Sequence, residues 1–229
     1  MAESFQSRFN HVRSRLYHWA VAAQRYSMPD WAFFPAAFLA FIAVIVLANQ
    51  IRPAGAEPIV TDREFLMNGA ALSRLVPGPG TAVQLVTATG QPLARMNATA
   101  SLEAAGTLSA GVAAIIPPAF EAAVIGRTLR VEAEWRSGDG ARLTSARLGY
   151  FTTGGGDSGW RALPVEDRFT RVAFCFEVPA AAPRNEIESM GIWPDETGSS
   201  LSLIVREMRT VILDEGTTLA QCEAGLPPM

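Results

Sequence analysis

The side chains of this 229-residue chain that could do acid–base chemistry are carboxylates, because histidine is almost absent. The two histidines are His11 and His18, so residues 19–229 contain none. Histidine-activated serine or cysteine nucleophiles and the usual histidine-bearing zinc site are therefore excluded there. A pair of carboxylates could still hydrolyse a glycoside, and the candidates lie in turn sequences, at Asp157, Glu166, Asp167, Asp195 and Glu196. Acidic residues are ordinary solvated members of turns, so we predict no catalytic residue and no enzyme activity.

Signals for a metal or a cofactor are weak as well. His11 and His18 are seven residues apart, with no cysteine or second carboxylate nearby to complete a zinc site. The glycine-rich run 154–159 lacks the lysine and the following helix of a phosphate-binding loop. We expect no metal and no cofactor.

The two cysteines favour a disulfide. Cys175 has the opposite parity to the apolar residues of the strand-like segment 171–178, so it is expected on the outer face of that strand. Cys222 lies in the polar tail 217–229, which has no apolar period of its own. A surface thiol in an oxidising compartment favours the bridged form, and a Cys175–Cys222 bridge would hold the tail across the sheet. Two separate thiols are the alternative.

After residue 58, apolar residues tend to recur at every second position, so the elements that position these side chains are expected to be β-strands. In the clearest strand, 127–136, Leu129, Val131, Ala133 and Trp135 lie on one face and four charged side chains on the other, which indicates a solvated outer face. Further strands are expected at 82–88, 98–104, 111–116, 141–152, 171–178, 188–193 and 201–213, with a short helix or turn at 118–125. Short strands separated by glycine-rich turns predict a mostly β protein, in which residues 59–216 form an antiparallel β-sandwich or jelly roll.

The N-terminal segment has a different pattern. Residues 31–48, WAFFPAAFLAFIAVIVLA, carry no charge and are about as long as a helix that crosses a bilayer core of roughly 30 Å. We expect an amphipathic helix within 1–30, a transmembrane helix at 31–50 and a linker at 51–58. A cleaved signal peptide is the alternative, but both the leader and the apolar run are longer than is usual for one.

Charge predicts the orientation of this span. Residues 1–30 contain four arginines and two acidic residues, a balance of +2, whereas residues 51–229 contain fifteen arginines and twenty acidic residues, a balance of −5. The basic flank usually stays in the cytoplasm, so the β domain is expected outside. All nineteen basic residues are arginine, which we interpret as the codon bias of a GC-rich bacterial genome. The chain is then a protein of the bacterial inner membrane with a periplasmic domain, and its net charge of −3 argues against nucleic-acid binding.

Two features of the N-terminal segment predict membrane contacts. The basic amphipathic helix is expected to lie on membrane lipid or to dock on the cytoplasmic face of a partner. Within the span, Ala36, Ala40 and Ala43 form a stripe of small residues. Such stripes let membrane helices pack closely, which favours other transmembrane subunits as partners.

The outer domain resembles a known family. PPAFEAAVIGRTLRVEAEWRSGDG (117–140), RFTRVAFCFEVPA (168–180) and MGIWPDETGSSLSLIVREMRTVIL (190–213) are similar to the strands and turns of carbohydrate-binding modules with a galactose-binding-like jelly roll. The resemblance covers residues 57–214 and implies that fold. One departure is Arg206, because the closing strand in the family often carries an aspartate near a structural calcium; Asp62, Glu64 and Asp214 are other oxygen donors for that ion.

The resemblance also implies where a glycan would bind. Such modules stack sugar rings on exposed aromatic side chains, and the candidates here are Tyr150, Trp160 and Trp193 with Arg147. Buried loop anchors are the alternative role for the three aromatic residues. Two functions remain. The favoured one is a non-enzymatic accessory subunit of a larger membrane complex, photosynthetic or respiratory; the alternative is a membrane-tethered glycan-binding module of envelope polysaccharide metabolism.

Overall fold

The computed structural model describes residues 33–35, 37–43, 56–88, 90–106, 109–138, 140, 143–152, 156–180 and 187–226. The chain divides into two compact units, Met1–Ala54 and Gly55–Met229. In the first unit, residues 33–35 and 37–43 are helical, and the described side chains, among them Ala40 and Ala43, are exposed. No helix within the described ranges is long and apolar enough to cross a membrane. The predicted amphipathic segment 1–30, with both histidines, and Ala36 lie outside these ranges, and packing by the alanine stripe stays a prediction.

The second unit is a sandwich of two antiparallel sheets, which confirms the antiparallel β-sandwich predicted from the sequence. Its twelve described strands are β1 Ile59–Val60, β2 Glu64–Asn68, β3 Val76–Pro77, β4 Thr81–Ala88, β5 Gln91–Ala98, β6 Val112–Ile115, β7 Thr128–Ser137, β8 Ser145–Phe151, β9 Arg161–Pro164, β10 Thr170–Glu177, β11 Ser189–Trp193 and β12 Ser202–Ile212. A 3₁₀ helix spans Gly69–Arg74, and three short α-helices follow: α1 Leu102–Ala105, α2 Pro118–Val124 and α3 Leu219–Ala224.

Strand β12 is central to the seven-stranded sheet. Its first half pairs with β5 and its second half with β2, while β7 pairs with both halves on the other side. The shift in register at Arg206 is a β-bulge between these halves. The remaining strands β4, β10 and β1 lie beyond β5, β7 and β2. The second sheet has the order β3-β6-β11-β8-β9.

The core lies between the inner faces of the two sheets. Leu129, Val131, Ala133 and Trp135 of β7 are all buried in it, as their alternation predicted. Trp135 has no exposed surface, and its Nε1–H donates to the carbonyl oxygen of Pro164 at 2.9 Å. This hydrogen bond satisfies the polar edge of the largest core side chain and joins the two sheets.

One predicted strand is wrong. The sequence favoured a strand at 98–104, but β5 ends at Ala98 and α1 begins at Leu102. The reason is local, because the Ser101 side chain accepts a hydrogen bond from the backbone N–H of Ala104 at 3.1 Å and caps the helix.

The outer face of the seven-stranded sheet carries a ladder of ion pairs. Arg209 contacts Glu64 at 2.6 Å and Arg206 contacts Glu134 at 2.7 Å, while Glu132, only 5% exposed, lies 2.5 Å from Arg130. The four alternating charges of β7 therefore face outward as predicted. Arg130, Glu132 and Glu134 belong to this paired network. Arg136 donates to the carbonyl oxygen of Ser137 at 2.8 Å, and its guanidinium carbon lies 5.4 Å from the centroid of the Phe169 ring.

The structure joins Cys175 and Cys222 by a disulfide, with their Cα atoms 6.1 Å apart. Cys175 lies on the outer side of β10, where α3 covers it, and both cysteines are buried. The sequence showed no apolar period in the tail; in the structure, Thr218 forms a capping box with Gln221 and starts α3. The C-terminal helix is thus fixed to the edge strand β10.

Candidate functional site

Strands β8 and β11 present their outer face on the five-stranded sheet. Leu148 and Tyr150 of β8 and Met190 and Ile192 of β11 point into the core. The intervening residues therefore point outward, and they pair as Arg147 with Trp193, Gly149 with Gly191, and Phe151 with Ser189. The outer face thus has two glycines at its centre and aromatic side chains around them.

The Phe151 ring lies over both glycines. A Cβ atom added at Gly149 would be 2.6 Å from Cζ of Phe151, and one added at Gly191 would be 2.9 Å from its Cε2. At Gly191 the same Cβ would also be 2.2 Å from the carbonyl oxygen of Ala110. Only glycine leaves room here for the ring and the crossing backbone, so the two glycines set the position of Phe151.

Trp160 packs edge-on against this ring. Its ring centroid lies 4.8 Å from that of Phe151 and 6.3 Å from that of Trp193, both in T-shaped geometry. Phe151 and Trp160 are half-buried, so part of each ring faces solvent. We call these three residues the outer aromatic cluster.

The segment that carries Trp160 is tied to β8 by hydrogen bonds. The N–H of Ser158 donates to the carbonyl oxygen of Tyr150 at 3.0 Å, and the N–H of Tyr150 donates to Oγ of Ser158 at 2.8 Å. The carboxylate of Asp157 accepts from the N–H of Thr152 at 2.8 Å. Trp160 therefore sits on a fixed segment, which lowers the entropy lost if the ring takes up a ligand.

Trp193 is the buried base of the outer aromatic cluster. It has no exposed surface, and its Nε1–H donates to the carbonyl oxygen of Asp195 at 2.9 Å. The buried Asp195 carboxylate accepts from the N–H and hydroxyl of Thr197 and from the N–H of Leu201. Asp195 thus organises the turn after β11, and its carboxylate is engaged in these hydrogen bonds.

A polar pair borders the cluster. Arg147, beside Trp193 in register, forms an ion pair with Glu196. Both side chains are partly exposed, at 27% and 45%. Charged pairs of this kind can exchange hydrogen bonds with ligand hydroxyls, because arginine donates and glutamate accepts.

Tyr150 lies on the other side of the sheet. Its hydroxyl donates to Oε2 of Glu188 at 2.5 Å, and the N–H of Glu188 donates to Oε1 of Glu121 at 2.9 Å. Burial, followed by the charge of Glu188, raises the pKa of Tyr150. Burial also raises the pKa of Glu188, against the opposing effect of the hydrogen bond from Tyr150. This buried pair is part of the core and does not reach the outer face.

The structure therefore divides the four predicted glycan contacts into two that are partly exposed and two that are buried. Trp160 and Arg147 lie on the outer face with partly exposed side chains. Tyr150 and Trp193 are fully buried, Tyr150 by the core and Trp193 beneath Trp160, so in this structure neither can stack on a sugar. Sequence reasoning missed Phe151 and the glycine pair. Glycine inside a strand pattern, at Gly149 and again at Gly191, was the available signal.

Most of the candidate carboxylates have other partners in the described parts of the chain. Glu166 contacts Arg168 at 2.9 Å, and Asp157, Asp195 and Glu196 have the partners given above; Asp167 is exposed. Glu64 and Asp214, considered for calcium, each contact an arginine at 2.6 Å. Across the described ranges, no three acidic, histidine or cysteine side chains come together as a group that could hold a metal.

Comparison with known proteins finds a likeness in fold. No protein-family model and no curated protein matches the chain. Among solved structures, the CBM22-1 xylan-binding domain from Paenibacillus barcinonensis Xyn10C is similar at 9% identity, with a TM-score of 0.47 over 70% of this chain and 99% of that one. A CBM4 structure is similar at 13% identity, with a TM-score of 0.40 over 69% and 96% of the two chains. The family 11 carbohydrate-binding module of Lic26A-Cel5E from Clostridium thermocellum is similar at 8% identity, with a TM-score of 0.37 over 71% and 95%.

The resemblance predicted from the sequence was to carbohydrate-binding modules, which is also the class of these three structures. Because the identities are 13% or less and the TM-scores are below 0.5, nothing about this chain is concluded from these likenesses, and the ligand has to be argued from the chain's own residues. None of these findings supports the favoured expectation, a subunit of a larger membrane complex.

Proposed function

We propose that residues 56–226 form a non-catalytic module that binds a polysaccharide, with Trp160 and Phe151 as its stacking surface. The observation that carries the proposal is the partly exposed, edge-to-face pair of rings held on the outer face of β8 and β11. Sugar rings present flat C–H faces, which are attracted to aromatic faces, and their hydroxyl groups need donors and acceptors at the rim. Arg147 and Glu196 supply both kinds of group.

The chemistry of the domain supports binding rather than turnover. Residues 56–226 contain no histidine, and the acidic residues on the outer face are engaged by arginine or by backbone N–H groups. The rings are also pre-positioned, because Phe151 rests on two glycines and Trp160 on a hydrogen-bonded segment. A rigid platform is what a binding module requires.

The decisive experiment is affinity electrophoresis of the full chain through gels that contain xylan or solubilised peptidoglycan strands. We expect retardation on at least one of them, and Trp160→Ala should weaken it about tenfold or more. Phe169→Ala is the matched control, because Phe169 is also a half-buried ring but lies under Arg206, 3.7 Å from its guanidinium. Free migration of the wild-type chain on every polysaccharide would overturn the proposal, and so would equal retardation of wild type and Trp160→Ala.

We also propose that residues 31–50 tether this module to the bacterial inner membrane, with the N-terminus in the cytoplasm and the module in the periplasm. The uncharged run 31–48 supports this, as do the exposed side chains of Phe34, Phe38 and Leu39, each at least 64% exposed. In spheroplasts, a cysteine replacing exposed Ser73 should react with a membrane-impermeant maleimide, and one replacing Ser7 should not. The reverse pattern would rule out this orientation.

A further inference from the structure

Tyr150 is connected to both exposed rings of the outer aromatic cluster, although its own side chain lies on the core side of the sheet. Phe151 follows it directly in β8. The carbonyl oxygen of Tyr150 accepts from the N–H of Ser158 at 3.0 Å, and its N–H donates to Oγ of Ser158 at 2.8 Å. Ser158 in turn lies two residues before Trp160. A change in the position of Tyr150 therefore reaches Phe151 and Trp160 through the backbone.

Glu188 fixes the side chain of Tyr150. Its Oε2 atom accepts from the hydroxyl of Tyr150 at 2.5 Å, which joins β8 to the residue just before β11. Ser189, the next residue, pairs with Phe151 in the ladder. The carbonyl oxygen of Glu188 also accepts from the N–H of Ile116 at 3.0 Å, just after β6. The hydrogen bond between Tyr150 and Glu188 thus ties together, from the core side, the strand ends that carry Phe151 on the outer side.

The carboxyl group of Glu188 can change its charge inside this arrangement. Glu188 is 5% exposed. In the described ranges, the titratable groups that act on it are Tyr150 from β8 and Glu121 from α2, while β10 contributes the ring of Phe176, 5.9 Å from that of Tyr150. No arginine of those ranges forms an ion pair with Glu188. Burial and, to a smaller extent, the charge of Glu121 raise the pKa of Glu188 against the opposing effect of the hydrogen bond from Tyr150, so the ionised form is disfavoured here.

We propose that the Tyr150–Glu188 hydrogen bond positions the two stacking rings, and that polysaccharide affinity falls when the Glu188 carboxyl group releases its proton to solvent. The inference rests on the proposed function of the outer aromatic cluster and adds pH control to it. Ionised Glu188 places a second negative charge close to the Glu121 carboxylate in a buried site, which favours movement of the strand ends away from the arrangement described. Because the folded-state pKa is raised, the arrangement is stable in acid and is weakened as pH rises through that pKa.

The test is affinity electrophoresis of the full chain at a series of pH values, in gels with and without the polysaccharide that retards the wild type most. We expect wild-type affinity to fall as pH rises. Glu188→Gln should bind equally well across the range, because its amide oxygen still accepts from Tyr150 and its side chain does not titrate. Tyr150→Phe removes the hydroxyl and keeps the ring, and it should weaken binding about threefold or more. A wild-type pH profile that Glu188→Gln leaves unchanged, or full binding by Tyr150→Phe, would overturn the proposal.

Thr128→Val is the matched control for loss of a buried hydroxyl. The hydroxyl of Thr128 donates to the carbonyl oxygen of Thr217 at 2.7 Å, at the start of β7 in the seven-stranded sheet. We expect Thr128→Val to lower stability, as Tyr150→Phe does, and to leave both binding and its pH profile unchanged. If both variants weaken binding in proportion to the stability they lose, Tyr150 has only a general structural role and the positioning is refuted.

A second measurement needs no ligand and separates this inference from the proposed function. In fluorine NMR of the chain labelled with fluorotryptophan, the Trp160 resonance is assigned by its loss in Trp160→Phe. It should shift with pH in the wild type and stay constant in Glu188→Gln. If that result is obtained while no polysaccharide binds, the proposed function fails and the coupling of Glu188 to Trp160 stands. If the pH dependence of the Trp160 resonance is the same in both proteins, the coupling is refuted whether or not a polysaccharide binds.

Discussion

Breaking the Cys175–Cys222 disulfide should lower the stability of the β domain substantially. The bridge joins positions 47 residues apart, and the enclosed segment includes β11 and the central strand β12. In the chain-entropy model, a loop of this length removes roughly 4 kcal/mol of unfolded-state entropy at 25 °C. That is a large part of the roughly 5–15 kcal/mol by which domains are typically stable.

The same figure sets the expected shift in melting temperature. For a domain of about 150–250 residues, each kcal/mol corresponds to roughly 2–4 °C, so reduction should lower Tm by about 8–16 °C. Most of the change should come from the unfolded state. Helix α3 has six residues and is too short to hold its place without the bridge, so reduction should also release it from β10.

Differential scanning calorimetry of the full chain, oxidised and reduced, measures this shift, and Cys175→Ala/Cys222→Ala provides the same comparison without reductant. Thr218→Ala is the control for α3 alone, because it removes the cap and leaves the bridge; it should cost about 1 kcal/mol or less. Reduced and oxidised proteins that melt within about 2 °C of each other would refute the loop-entropy argument. Free labelling of either cysteine in the unreduced protein would refute the bridge itself.

Two further predictions concern the core and the outer face. Burial raises the pKa of Glu188 in the folded protein, so the stabilising contribution of this residue is present in acid and is lost as pH rises through the folded-state pKa. Glu188→Gln should therefore make the free energy of urea unfolding less dependent on pH. Parallel plots of unfolding free energy against pH for the two proteins would contradict this. Gly191→Ala should destabilise the domain by about 1–3 kcal/mol and weaken polysaccharide binding, because the added methyl group displaces Phe151. Gly225→Ala is the control, since its Cβ would make contacts no closer than 3.4 Å, and it should have neither effect. Equal denaturant midpoints for the two variants would show that the outer face accommodates a methyl group.

The strands with clear alternation were predictable from the sequence. In β7 and β10, apolar residues at every second position placed the core face correctly, and Pro118–Val124 was recognised as a short helix or turn. Strands β2 and β5 were missed. In β5, Pro92 and Arg95 interrupt an apolar pattern that becomes intelligible only once β4 and β12 flank it.

The candidate site was predictable only in part, and for two different reasons. Tyr150 shares parity with Leu148, so strand alternation alone indicates that it points inward. Trp193 has outward parity, and its burial depends on residues far away in sequence. A Cβ atom at Gly80 would be 3.6 Å from its Cη2, and Trp160 packs on its ring. Long-range cover of this kind is not contained in a local pattern.

The place of β12 in the sheet has a consequence for how the chain is made. It is the last of the described strands in sequence, yet β2, β5 and β7 all depend on it for hydrogen bonds. While a ribosome is still synthesising the preceding strands, those edges have no partner, and the sandwich cannot close until residue 212 has emerged. Pairing between strands that are so far apart in sequence makes folding slow and leaves aggregation-prone intermediates of the nascent chain. A chain truncated before β12 is therefore expected to be degraded or to aggregate rather than to persist as a smaller folded domain.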